Sequence, residues 1–189
     1  GMTERKGITA PVAKIEMRRR LTLIGSMLVH KGEVDGLICG TWGQTAHHLN
    51  YIDQVIGQRA GVSTYACMNG LLLPDRQVFL VDTHVNYDPT AEQLAEITVM
   101  AAEEMMRFGI KPKVALLSHS NFGSTNHPSA VKMRQTVEQL KIQAPWLEID
   151  CEMHGDVAQD SKARAAIMPH STLSGSANLL VMPNIDAAN

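Results

Sequence analysis

Cysteine is scarce in this chain: Cys39, Cys67 and Cys151 are the 3 among 189 residues. They are odd in number, far apart and never spaced C-x-x-C, which argues against a disulfide framework or a cysteine-based zinc site. Each sits in an apolar segment and reads as a buried free thiol in a reducing cytoplasm. Positive charge is not in surplus either. The formal net charge is −2, so no nucleic-acid partner is expected. The Arg18-Arg19-Arg20 cluster reads as the solvated face of a helix. No apolar run approaches the roughly 20 residues that span a bilayer, and no secretory signal is visible. A cytoplasmic protein without a membrane partner is the expectation. Gly1 ahead of Met2 reads as a remnant of tag removal and is set aside.

Several catalytic signatures are also lacking. There is no G-x-S-x-G elbow, no G-x-x-x-x-G-K-[ST] loop and no G-x-G-x-x-G turn. Glu152-x-His154-x-Asp156 and Asp82-x-His84 alternate acceptors without matching a zinc or calcium spacing. His47 and His48, as neighbours on a helix, point about 100° apart. Ser118 and Ser120 flank His119 on an expected strand, which turns His119 to the opposite face. No metal site and no serine hydrolase follow from these residues.

What is present is an alternation of strands and helices. Hydrophobic residues make up 44% and charged residues 19%, ordinary for one globular domain with a real core. Apolar periodicity predicts a helix over Pro11–Lys31, ended by Gly32, and another over Gly43–Ile56. Short apolar runs predict strands at Val34–Cys39, Val62–Met68 and Gln77–Val81; Leu71-Leu72-Leu73 extends the second run, and Pro74-Asp75-Arg76 is the turn before the third. Thr90 and Gln93 fit a capping box that opens a helix running to Gly109. Then come a strand from Lys113, a helix Pro128–Gln143, a strand Leu147–Cys151, a helix Asp156–Ile167 and a strand Asn178–Met182. Pro128 suits the first helical position. The pattern implies an α/β fold: a three-layer α/β/α sandwich with a mostly parallel sheet and one antiparallel hairpin.

In such a sheet, ligands bind where strands end in polar loops. Four strand ends qualify. Asp82, Thr83 and Asn86 follow one strand, and Ser118, Ser120, Asn121 and Ser124 follow the continuous apolar run Lys113–Leu117. Glu152-Met153-His154-Gly155-Asp156 follows a third, and Asn184 and Asp186 follow the last. Each cluster alone is explained by turn and cap chemistry; four along one edge point to a shared pocket. Phe122-Gly123-Ser124 ahead of the Pro128 helix offers backbone amides to an anion.

Several long segments carry a family resemblance. They are Lys113–Ser124, Val85–Ile97 (VNYDPTAEQLAEI), Glu152–Asp156 and Met182–Asn189 (MPNIDAAN). Together they resemble the phosphate acetyl/butyryltransferase family. Asp35–Gly43 (DGLICGTWG) and His48–Gly57 (HLNYIDQVIG) are more narrowly similar to the C-terminal phosphotransacetylase-like region of large bacterial NADP-dependent malic enzymes. The resemblance covers essentially the whole chain.

The resemblance implies a pair of α/β/α subdomains with a cleft between them. Residues 1–189 would form the central subdomain, with a short N-terminal helix belonging to its neighbour. The family's C-terminal Ser-Arg and Asp active-site residues would lie outside this sequence, as would the malic enzyme and NADP-binding domains. By the same resemblance, Thr83 stands where the transferases often carry Cys. Asn50, near Thr45, stands where they tend to carry an anion-binding Arg. Asn cannot replace the bidentate, charge-assisted phosphate contact of a guanidinium. The resemblance therefore implies no catalysis by this segment itself, and a cleft holding an acyl-CoA or phosphate ligand, with acetyl-CoA as effector. The parent would be a homo-oligomer using NADP and Mg or Mn to decarboxylate malate to pyruvate. A true acetyl phosphate:CoA transferase and a purely oligomerising module are the alternatives.

Overall fold

The computed structural model describes residues 7–189; the Gly1–Met2 start lies outside the described residues. The chain divides into two compact units, Gly1–Val62 and Ser63–Asn189.

Among its described residues the first unit carries three helices, α1 (Ala10–Arg19), α2 (Leu21–His30) and α3 (Thr45–Val55). The single helix expected over Pro11–Lys31 is interrupted at Arg20, whose backbone is extended at φ −109° and ψ 92°. Arg20 closes α1 through its amide and opens α2, while its Nε reaches Glu16 at 3.2 Å. Apolar periodicity runs unbroken across such a one-residue kink, so the pattern cannot reveal it. His48 on α3 ties the unit together, with Nδ1 2.7 Å from the Thr22 hydroxyl and Nε2 2.8 Å from the Trp42 carbonyl. The strand expected over Val34–Cys39 does not form; the segment is irregular and Ile38 is fully exposed. A strand exists only as part of a ladder, and a short apolar run carries no information about a partner.

The second unit is built on a five-stranded sheet. Its elements are β1 (Met68–Leu72), β2 (Gln77–Val81), α4 (Ala91–Arg107), β3 (Lys113–Leu117), α5 (Pro128–Gln143), β4 (Glu148–Met153), α6 (Gly155–Gln159), α7 (Ser161–Ile167), β5 (Leu179–Val181) and α8 (Ile185–Ala188). The strand order is β1-β2-β5-β3-β4. All neighbours are parallel except the β1–β2 hairpin, so the expected mixed sheet is present. That hairpin pairs Met68 with Val81 and Leu72 with Gln77. The Leu73 amide donates to the Arg76 carbonyl at 2.9 Å across the turn. Register is counted outward from this turn, so the strand lies at 68–72, within the extension through Leu73, and the expected start at Val62 is too early.

Side-chain alternation assigns the two faces of the sheet. Phe79, Val81, Val114, Leu116, Leu179 and Val181 meet Leu94, Ile97, Met105, Met133 and Leu140 from α4 and α5. Val78, Ala115, Leu117 and Leu180 point the other way, onto Val157, Ala158, Leu173 and Ala177. Helices on one face and α6 with the 173–177 segment on the other make three layers, as expected. α4 opens on the predicted capping box: Thr90 accepts the Gln93 amide at 3.2 Å and the Gln93 side chain accepts the Thr90 amide at 2.9 Å. The helix expected over Asp156–Ile167 is divided at Asp160. That carboxylate accepts the amides of Lys162 at 2.8 Å and Ala163 at 3.2 Å and so starts α7.

The cysteines depart from expectation. All are unbonded, but Cys39 is exposed and Cys67 and Cys151 are partly exposed. Cys39 belongs to the irregular segment, where no sheet covers it.

Candidate functional site

Because β2, β5, β3 and β4 run parallel, their C-terminal ends share one edge of the sheet. The start of antiparallel β1 joins them, since Met68 pairs with Val81. The polar segments on this edge contact each other. The Asn189 side chain donates to the Thr83 carbonyl at 3.1 Å, and the Ile185 amide donates to the Tyr87 carbonyl at 3.0 Å. The His154 amide donates to the Asn121 side chain at 2.8 Å, and His154 Nε2 lies 2.9 Å from the His119 carbonyl. Lys132 from α5 reaches the Pro183 carbonyl at 2.7 Å and also pairs with Asp88.

Most expected ligand residues here build loops. Asp82 is 3% exposed. Its Oδ1 accepts the amides of Cys67 at 2.9 Å, His84 at 3.2 Å and Val85 at 3.2 Å. Its Oδ2 accepts the Asn86 amide at 2.8 Å and the Asn86 side-chain amide. Asn86 also donates to the Tyr65 carbonyl at 2.7 Å and accepts the Thr64 hydroxyl at 3.0 Å. Thr83 is fully buried, with its hydroxyl 3.1 Å from Asn69 Oδ1 and 2.9 Å from His84 Nδ1. Asn184 caps α8 by accepting the Ala187 amide at 3.0 Å. Asp186 is exposed in the first turn of α8. Thr45 and Asn50 belong to the first unit. Thr45 begins α3, and exposed Asn50 borders a groove of about 440 Å³ with Met17, Met27 and Tyr51.

The loop after β3 is held from beneath. β3 ends at Leu117, so Ser118, His119 and Ser120 lie in the loop rather than alternating on a strand as expected. The Ser120 amide donates to Ser118 Oγ at 3.2 Å, and Ser120 Oγ lies 3.1 Å from Ser124 Oγ. The Asn121 amide donates to Ser124 Oγ at 3.1 Å. At the tip Phe122 has φ 46° and Gly123 φ 87°, the left-handed region that glycine enters freely and a bulky residue at a cost.

Glu152, expected in a strand-end cluster but not among the candidate ligand residues, sits under that tip. It is fully buried. Its Oε1 accepts the Ser120 hydroxyl at 2.5 Å, the Gly123 amide at 2.9 Å and Arg134 Nη1 at 2.9 Å. Its backbone carbonyl accepts the Phe122 amide at 2.7 Å. Burial alone would push this carboxyl up. The Ser120 and Gly123 hydrogen bonds and the Arg134 charge outweigh burial and hold it below the usual carboxylate range. Neighbouring Cys151 moves the other way: burial, with the adjacent Glu152 and Asp150 charges, pushes its thiol up. A thiol so raised is a poor nucleophile. Among the described residues no group of three His, Cys, Asp or Glu is arranged to hold a metal ion. No described helix is long and apolar enough to cross a membrane.

The chain as a whole is similar to known proteins. The description phosphate acetyl/butaryl transferase matches residues 1–189. The chain belongs to the phosphate acetyl/butaryl transferase family. It is 55% identical over 185 residues to the NADP-dependent malic enzyme of Salmonella typhimurium, covering 98% of this chain and 24% of that enzyme. It is 34% identical over 188 residues to the phosphate acetyltransferase of Synechocystis, covering 27% of that protein. The chain thus spans about a quarter of the length of these relatives. Among solved structures, a phosphotransacetylase from Streptococcus pyogenes superposes with a TM-score of 0.89 at 32% identity, over 100% of this chain and 58% of that one. Both the family and its phosphotransacetylase-like character in malic enzymes were legible in the motifs.

Proposed function

We propose that this member of the family is an acyl-CoA-responsive regulatory region of a malic enzyme. The parent would use NADP and a divalent metal to decarboxylate malate oxidatively to pyruvate. The observation that carries the reading is the gap in identity over the same residues: 55% to a malic enzyme against 34% to a phosphate acetyltransferase. Two residues support it, one in each compact unit. Asn50 offers no cation for a transferring phosphoryl group, which needs charge stabilisation. Thr83 buries its hydroxyl among Asn69 and His84, so it is not presented to a ligand. An effector bound at the edge would act by preferring one of two states of the parent.

Calorimetry on the full-length protein with acetyl-CoA and with acetyl phosphate tests this, alongside malate-dependent NADP reduction. Expected are acetyl-CoA binding and a changed malate rate, without acetyl transfer. Binding of neither ligand overturns the regulatory reading. Turnover of acetyl phosphate with CoA replaces it with the second reading, a working transferase, which the superposition on a phosphotransacetylase favours.

A further inference from the structure

The geometry points to Glu152 as the positioning residue of the 118–126 loop at the sheet edge, with Arg134 acting through it. Three independent features converge on this residue. The first is its place in the sheet. Leu116 pairs with Cys151, but Leu117 pairs with Met153. Glu152 is therefore the extra residue of a β-bulge, opposite nothing on β3. A bulge frees the inserted residue from the ladder and re-aims its side chain. The face assignments record the inserted residue: Cys151 packs with the α4–α5 layer, yet Met153, two positions on, packs with the opposite layer.

The second feature is what the freed residue touches. The Glu152 carbonyl takes the Phe122 amide and its carboxylate takes the Gly123 amide and the Ser120 hydroxyl. These bonds hold both left-handed residues of the tip. The third is Arg134 on α5. It donates to Glu152 at 2.9 Å, to the Thr125 carbonyl at 3.1 Å and to the Asn126 side chain at 2.9 Å. Glu152 thus grips the first half of the loop and Arg134 the second, and the ion pair joins the two grips. Glu152 Oε2, by contrast, is buried with no partner. A residue present only to fill space would be apolar, because a buried carboxylate oxygen without a partner is costly. Its retention fits a residue kept for the acceptor work of Oε1. Buried Arg164, by contrast, binds α6 and α7 to the 171–175 segment and touches no residue of this loop.

The inference rests on the reading that this edge binds an acyl-CoA. Held in this form, with its backbone amides engaged inside the loop, the loop carries the Asn121 side chain in one arrangement, so a ligand need not order it on binding.

The test uses Glu152→Gln and Arg134→Met in the full-length protein. Acetyl-CoA affinity is read by calorimetry and amide hydrogen exchange by mass spectrometry. In Glu152→Gln, which keeps an acceptor oxygen but loses its charge, peptides covering 118–126 should exchange faster by about tenfold, the factor matching the weakening of several charge-assisted bonds to neutral ones. Acetyl-CoA affinity should fall by a similar factor, while β3 and α4 peptides keep their wild-type exchange. Arg134→Met should do the same to a smaller degree, and it carries the test should Glu152→Gln fail to fold. Unchanged loop exchange overturns the inference whatever the ligand. Equal acceleration throughout the core also overturns it, since that is a general loss of stability. Faster loop exchange with unchanged affinity removes the positioning role. If the wild type binds no acetyl-CoA, it is the regulatory reading that fails, and the exchange result still decides whether Glu152 holds the loop.

Discussion

Asp82 Oδ1 accepts the backbone amide of Cys67 at 2.9 Å. One carboxylate thereby fastens the entrance of β1 to the exit of β2, and the Thr83 amide returns a bond to the Cys67 carbonyl at 3.2 Å. With the amides of His84, Val85 and Asn86 also on Asp82, Asp82→Ala leaves buried donors unpaired. Its expected cost is about 3 kcal/mol, because bonds to a charged acceptor are stronger than neutral ones and their losses are not additive. Urea denaturation checks this, and Asp82→Asn should recover only part of the loss.

Arg164 is 2% exposed, and among the described residues no carboxylate pairs with it. It donates instead to the carbonyls of Val157, Ala158, Leu173 and Gly175 and to the Ser171 hydroxyl. It therefore binds α6 and α7 to the 171–175 segment. Arg164→Lys should cost about 3 kcal/mol or more, since an ammonium cannot serve this fork of acceptors. A thermal melt of the variant should show a lower midpoint.

Acid provides a third prediction. The Glu152 carboxyl is held below its ordinary value in the folded protein, so the unfolded chain binds more protons across the interval between the two values. Its contribution to stability is complete above the unfolded value of about 4.3 and is lost as pH falls through the folded value. Glu148, lowered by hydrogen bonds from Ser174 against the opposing effect of burial, contributes with the same sign. The difference in melting temperature between wild type and Glu152→Gln, followed from about pH 6 to about pH 3, isolates the Glu152 part and should shrink toward the acid end.

The capping box of α4 gives a smaller, local effect. Thr90→Ala removes the acceptor for the Gln93 amide and should cost about 1 kcal/mol in urea denaturation. The reciprocal Gln93→Ala should cost less, because the Thr90 amide is exposed to water.

These residues also mark what the sequence could reveal. The α4 start, the Pro128 start of α5, the hairpin and the parallel strands follow from local signals: caps, turns and apolar period. The break at Arg20 and the missing strand at Val34–Cys39 depend on what neighbouring segments supply, and periodicity is blind to that. The site divides the same way. Asp82, Thr83, Ser120 and Asn121 stood out as polar residues after apolar strands, and they do lie on the shared edge. Their commitment to loop hydrogen bonds rather than open space came only with the structure. Glu152 was visible as an acid at the end of a strand, yet its importance comes from a ladder irregularity that no composition or spacing encodes. Arg134, one more cation on a helix, gave no signal at all.

The bulge on β4 makes the count of residues in that strand matter as much as their identity. A substitution at Glu152 alters chemistry at one point. A deletion there would instead close the bulge and leave Cys151 and Met153 as ordinary alternating neighbours, each on the face it already occupies. The ladder would become regular, while the anchor beneath the loop tip would be lost in a single step. The extra residue thus serves the loop and not the sheet.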